Sequence, residues 1–251
     1  HGEISPVSFK ASYMSSSMPR QAGLKFIFIT AALDVMAIGI IIPILPKLVE
    51  GFLNNDVSEA ARWFGLMGMV WAIMQFIFSP VIGVLSDRFG RRPILLLSNF
   101  GLGLDYILMA LAPTLSWLFV GRALSGITAA SISTANAYIA DVTPPEKRAA
   151  SYGLMGAAFG LGFVIGPALG GLLGDVDARL PFWVAAGLSL SNAAYGYFIL
   201  PESLPPDKRT KHFNWRGARP WGAFSFLRSH PNLYGLCSMY ALNQMAHYVL
   251  P

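Results

Sequence analysis

Six runs of about 20 mostly apolar residues fill the first 200 positions of the chain, at 24–46, 63–85, 93–112, 117–140, 151–173 and 181–200. A helix rising about 1.5 Å per residue crosses a hydrocarbon layer of about 30 Å in roughly 20 residues, so each run predicts a membrane span. The runs are continuous rather than alternating and about twice as long as a barrel strand, which excludes β-strands as the spanning elements. A helix also satisfies every backbone polar group within itself, as lipid demands. A seventh run begins near Leu233 and stops at Pro251. It carries Asn243, Gln244 and His247 and is expected to be only the start of a span. Charged residues make up 12% of the chain, against about 25% in soluble domains, which again makes the bilayer the solvent. The fold class expected is an all-α integral membrane protein.

The loops between runs set the orientation. With the N-terminus in the cytoplasm, that side holds fourteen Lys and Arg residues: Lys10, Arg20, Lys25, Arg88, Arg91, Arg92, Lys147, Arg148, Lys208, Arg209, Lys211, Arg216, Arg219 and Arg228. The other side holds Lys47, Arg62 and Arg179, and Arg122 lies inside a run. This asymmetry is the positive-inside pattern of a multi-pass protein of the inner (plasma) membrane. It accounts for the net charge of +5 without a nucleic-acid partner. The organisation expected is a cytoplasmic tail at 1–23, a six-span unit at 24–200, a cytoplasmic linker at 201–232 and a partial seventh span at 233–251. Residues 1–18 lack the apolar core of a signal peptide and are expected to be an upstream extension or a cytoplasmic tail. Trp215, Trp221 and Phe224 mark either a short surface helix or a plain linker with scattered aromatics. The one cysteine, Cys237, allows no intrachain disulfide.

The most specific motif is Gly83-Val-Leu-Ser-Asp-Arg-Phe-Gly-Arg-Arg-Pro93, at the cytoplasmic junction of spans two and three. Two neighbouring helices must turn tightly there, which Gly90 permits, and Asp87 can pair with arginines or cap a helix. A basic loop that only sets topology needs neither fixed glycines nor an aspartate. With this run the chain resembles the major facilitator superfamily, whose loop signature has the same Gly, Asp, Gly and arginine pattern. The resemblance implies a latch between the two halves of the protein in the outward-facing state. It assigns Gly83, Asp87, Arg88, Gly90, Arg91 and Arg92 to that latch, with Asp141 at the end of span four as the auxiliary acid. It also implies the N-terminal six-helix half of a twelve-span fold plus the start of a seventh helix, the missing C-terminal half being the partner.

Three charges lie inside spans, where they are costly and mark pathways. Asp34 is about ten residues into the first span, or about 15 Å deep, ahead of Gly39, Pro43 and Pro46. That spacing resembles the first span of drug exporters, the tetracycline pumps especially. Asp105 lies about 18 Å into span three. Arg122, in Gly121-Arg-Ala-Leu-Ser-Gly126, resembles the family's fourth-span motif, which is linked to proton transfer. A carboxylate caught between the charge of an arginine and a low dielectric can exchange protons as its surroundings change. Asp34 and Asp105 are the candidates; the plainer alternative is a static ion pair that fixes packing.

Span five carries Gly160, Gly162, Gly166, Pro167, Gly170 and Gly171. Glycines four apart let helices approach closely, a pattern that also serves packing alone. With Pro167 and the Gly170-Gly171 pair, the run resembles the fifth-span signature of the superfamily's antiporters. Gln75, Asn136, Gln244 and His247 are softer candidates for a substrate cavity, each more often an interhelical hydrogen bond; the pump resemblance favours Gln75. There is no Walker loop, no His-Glu-x-x-His and no Gly-x-Ser-x-Gly, so no enzyme, cofactor or metal is expected, and the proton gradient is the energy source. The expected function is proton-coupled export of an amphipathic drug such as tetracycline by alternating access, with lipid, protons and drug as partners. The alternatives are a non-transporting structural half-transporter in a membrane assembly and a proton-coupled metabolite symporter.

Overall fold

The computed structural model describes residues 18–129, 131–211, 218–222, 228, 230 and 233–249. Among these, nine α-helices and one 3₁₀ turn are found, and no strand. The helices are α1 (Met18–Ile41), α2 (Ile44–Phe52), α3 (Val57–Phe89), α4 (Arg91–Leu111), α5 (Leu115–Ala129), α6 (Ser131–Val142), α7 (Pro145–Val176), α8 (Leu180–Ile199) and α9 (Tyr234–Val249). The tail before residue 18, Trp215 and Phe224, and the side chains of Asn243, Gln244 and His247 lie outside the described residues.

Local chemistry explains the boundaries. The first crossing is α1 and α2 in series, broken at Ile42–Pro43, where proline has no N–H to continue the helix. Asn54 and Asn55 both adopt positive φ, a conformation asparagine tolerates, and turn the chain after α2. Asp56 then caps α3, its Oδ1 accepting the Glu59 N–H at 3.0 Å. Pro145 opens α7 at a position where its missing N–H costs nothing.

Among the described residues, five stretches are long and apolar enough to cross a membrane: Ile27–Phe52, Val57–Phe89, Arg91–Leu111, Leu115–Val142 and Pro145–Val176. The sixth expected span, α8, is a helix of 20 residues that falls outside these five. It carries Ser189, Ser191, Asn192, Tyr195 and Tyr197, and it packs on α4 and α1. Ser189 and Asn192 are each 1% exposed, so protein rather than lipid surrounds them.

The packing has internal symmetry that is invisible in the residues themselves. α1 packs on α7 as α5 packs on α3, and α1 on α8 as α5 on α4, while α4 and α8 pack on each other. Exchanging the first three crossings for the last three therefore maps the pattern onto itself. Three crossings reverse the direction of the chain, so the two triplets are inverted repeats. α3 leaves Met69, Ile73 and Phe76 exposed, and α7 leaves Leu161, Val164 and Leu172 exposed. The buried apolar residues form two main clusters. Along α1, Ile27 and Ala31 belong to one and Ala37 and Ile41 to the other, and Asp34 lies between them.

Candidate functional site

The first candidate region is the α3–α4 junction. Gly90 has φ of +106°, a backbone conformation that requires glycine, and a Cβ there would also press on the Glu202 carboxyl. The Arg91 guanidinium forks between two acids, 2.6 Å from Asp87 Oδ1 and 3.3 Å from Asp141 Oδ2, and also donates to Ser86 Oγ at 2.6 Å. A planar five-donor group suits this branching contact; an ammonium does not. Arg92 turns the other way, donating to the Tyr197 carbonyl at 2.5 Å and stacking over its ring. Arg88 lies over the Phe89 ring and joins no ion pair among the described residues. Gly83 has open space where a Cβ would be.

The sequence reading missed the centre of this network. Glu202 Oε1 accepts the N–H groups of Arg91 at 2.9 Å, Arg92 at 3.4 Å, Ser203 at 3.0 Å and Leu204 at 3.1 Å. It thus supplies from a distant segment the acceptor that the first turn of α4 lacks, with a negative charge at the positive end of the helix dipole. Its Oε2 lies 3.4 Å from an Arg209 nitrogen, the Ser203 hydroxyl donates to Asp141 at 3.2 Å, and the Thr210 N–H donates to the Asp87 carbonyl at 3.0 Å. Residues 202–210 are thereby strapped onto the loop motif. An acid directly after the last span, amid basic residues, is the only local signal.

The second region lies at mid-depth. Asp34 Oδ1 accepts from Asn192 Nδ2 at 3.0 Å, and Asn192 is bonded in turn to Thr30. Asp34 and Thr30 supply the side-chain polar groups at a cavity of about 40 Å³, otherwise lined by residues such as Ile27, Leu95, Met155 and Phe159. Asp105 is 1% exposed, and neither of its carboxylate oxygens has a hydrogen-bond partner among the described residues. Its Oδ1 faces Gly121, where a Cβ would lie 3.1 Å away, next to Arg122. The Arg122 guanidinium bonds Ser125 Oγ at 3.2 Å and leaves Nε unpartnered. The structure thus brings Asp105 and Arg122 to the same helix contact but joins Arg122 to neither carboxylate by an ion pair. Gln75 stands apart, in an open groove of about 670 Å³ with Phe76, Ser79, Gly83, Ser133 and Arg219. Trp221 lies edge-on to Phe76 beside this groove. Asn136 uses its backbone carbonyl to accept from the Tyr152 hydroxyl.

The third region is the α1–α7 contact. Gly162, Gly166 and Gly170 face Val35, Gly39 and Ile40, so close that an added Cβ would lie 2.8, 2.7 and 2.1 Å from them. A Cβ added at Gly39 on α1 would in turn lie 3.0 Å from the Gly162 carbonyl oxygen and the Gly166 Cα, and 3.1 Å from the Pro167 ring. Gly160 and Gly171 have nothing within 4 Å of a Cβ. The stripe is the helical repeat of four, and Gly171 lies off it.

Inverted helix triplets around mid-depth carboxylates define a multi-pass membrane protein of the transporter class. The family model of the Major Facilitator Superfamily matches residues 27–251, and the chain belongs to that superfamily. It is 40% identical over 216 residues to the class C tetracycline resistance protein of Escherichia coli, covering 86% of this chain and 54% of that protein. It is 44% identical over 166 residues to the class B protein of Escherichia coli, covering 66% and 41%. Its fold matches the human organic anion transporter MFSD10 (TETRAN) with a TM-score of 0.70 at 26% identity, covering 80% of this chain and 52% of that one. The chain spans about half the length of the relatives it matches.

Proposed function

We propose that this chain forms the N-terminal half of a proton-driven exporter of an amphipathic drug, tetracycline being the first candidate. The observation that carries the reading is Asp105, a carboxylate 1% exposed inside a span with no hydrogen-bond partner among the described residues. In hydrocarbon such a group needs a proton or a cation to neutralise it. A group that must be neutralised in one arrangement and solvated in another is what proton coupling requires. Arg122, one residue beyond the glycine that Asp105 faces, supplies a fixed positive charge whose approach would release that proton. Asp34, at the edge of a small cavity, is the second carboxylate in the path.

In this reading the drug enters at mid-depth from the cytoplasmic side, and protonation of Asp105 or Asp34 accompanies its release outside and the return of the empty protein. Arg91, Asp87 and Asp141 form the latch, and the open space at Gly83 leaves room for a helix of the second half to seat. The glycine stripe of α7 lets α1 and α7 move as one body. The N-terminus is cytoplasmic, residues 201–232 link the halves, and the membrane is the inner one, as the placement of basic residues implies. The similarity to tetracycline resistance proteins supports the choice of substrate.

The test is drug susceptibility of cells expressing the complete gene. Resistance to tetracycline that an uncoupler removes, and that Asp105→Asn abolishes at equal membrane abundance, is expected. Resistance unaffected by Asp105→Asn rejects the role of that carboxylate.

A further inference from the structure

Asn192 stands out because no motif contains it and the export reading does not use it. It lies on α8 among small buried neighbours, Ala185, Ala186, Ser189, Ala193 and Gly196. It is 1% exposed. Its Nδ2 donates to Asp34 Oδ1 at 3.0 Å and to the Thr30 carbonyl at 3.2 Å, and its Oδ1 accepts from the Thr30 hydroxyl at 3.1 Å. Thr30 and Asp34 are one helical turn apart on α1, so a single amide from α8 spans both.

The bonds are directional. The Thr30 hydroxyl holds the oxygen of the amide and the Thr30 carbonyl takes one of its two N–H groups. The plane of the amide is thereby fixed, and the remaining N–H is aimed at Asp34. An amide is the side chain that can donate twice and accept at once in this space. A buried amide with its bonds made is stable in the bilayer, whereas one left unpaired is costly, so the set holds or breaks together. We propose that Asn192 is a positioning residue for Asp34: from α8 it holds the carboxyl in one orientation at the edge of the cavity between α1, α4 and α7. Any sliding of α8 against α1 then changes the hydrogen bonding of that carboxyl.

The test is infrared spectroscopy of the complete protein in nanodiscs, with ¹³C-labelled aspartate and the Asp34 carboxyl band assigned by its loss in Asp34→Asn. Labelling makes the band visible whether the carboxyl is neutral or ionised. Asn192→Val is expected to move the band. Thr30→Val, which keeps shape and removes only the hydroxyl that orients the amide, is expected to move it in the same sense by less. Only the transport arm rests on the export reading: Asn192→Val should lower kcat for drug export by about tenfold with KM within about twofold, the loss of one charge-assisted hydrogen bond. An unmoved band in folded protein overturns the proposal, as does a moved band with kcat unchanged in an exporting protein. If Asn192→Val does not fold, Thr30→Val decides. A moved band in a wild-type protein that exports no drug leaves the Asn192–Asp34 contact standing and rejects the export reading alone.

Discussion

Gly170→Ala tests the α1–α7 contact, and its cost can be worked from the geometry. A Cβ at this position would lie 2.1 Å from the Ile40 carbonyl oxygen and 2.9 Å from its carbon. Carbon and oxygen rest about 3.3 Å apart at closest comfortable approach, so α7 must withdraw from α1 by about 1 Å. The Cβ position is fixed by the α7 backbone and the atoms it meets are Ile40 backbone, so no rotamer change relieves the clash. Overpacking of this kind costs about 1–3 kcal/mol, offset by roughly 1 kcal/mol because alanine favours the helix over glycine. The net expected is destabilisation of up to about 2 kcal/mol. Gly171→Ala meets nothing within 4 Å and carries only the helix gain, so it should be neutral or stabilising by up to about 1 kcal/mol. Apparent melting midpoints of the two variants, followed by size-exclusion chromatography after heating, should fall on opposite sides of wild type. If both move alike, or if Gly171→Ala is the more damaging, the stripe has been assigned to the wrong face.

Three further outcomes follow from the loop end and the first turn. Glu202→Ala leaves four backbone N–H groups without their acceptor, including the first of α4, and should lower stability by about 1–2 kcal/mol in the same thermal assay. Arg91→Lys cannot reach Asp87 and Asp141 together; since Asp87 is 45% exposed, stability should change by less than about 1 kcal/mol. Drug export by that variant should nevertheless fall by roughly tenfold, the effect of biasing a two-state equilibrium by about 1.4 kcal/mol. Asp56→Ala removes the cap of α3 and should cost about 1 kcal/mol of stability while leaving export intact.

The spans were legible in the sequence because lipid imposes one rule on every crossing helix. Where protein replaces lipid as the neighbour, that rule relaxes, and α8 is the example: it holds Asn192 and Ser189 buried in the protein rather than facing the bilayer. The same residue shows why part of the site stayed hidden. An asparagine among alanines, serines and glycines carries no local pattern, and its contact with Asp34 is 158 positions away in sequence. Glu202 was hidden for the same reason, since its partners on α4 lie more than a hundred positions earlier. The glycine-rich run of span five could be read as a motif, but only the repeat of four separates Gly162, Gly166 and Gly170 from Gly171. Asp34, Asp105 and Arg122 could be singled out because charge inside a span is rare, but the contacts each makes could not be read, since depth along three separate helices does not give their rotation.

Proton coupling is most directly tested by reconstituting the complete protein in liposomes and imposing a pH gradient, acid on the side toward which the drug moves. Accumulation of tetracycline against its own gradient, collapsing with an uncoupler and absent in Asp105→Asn, is the predicted result. Drug equilibration that ignores the pH gradient, or accumulation that survives Asp105→Asn, would contradict it.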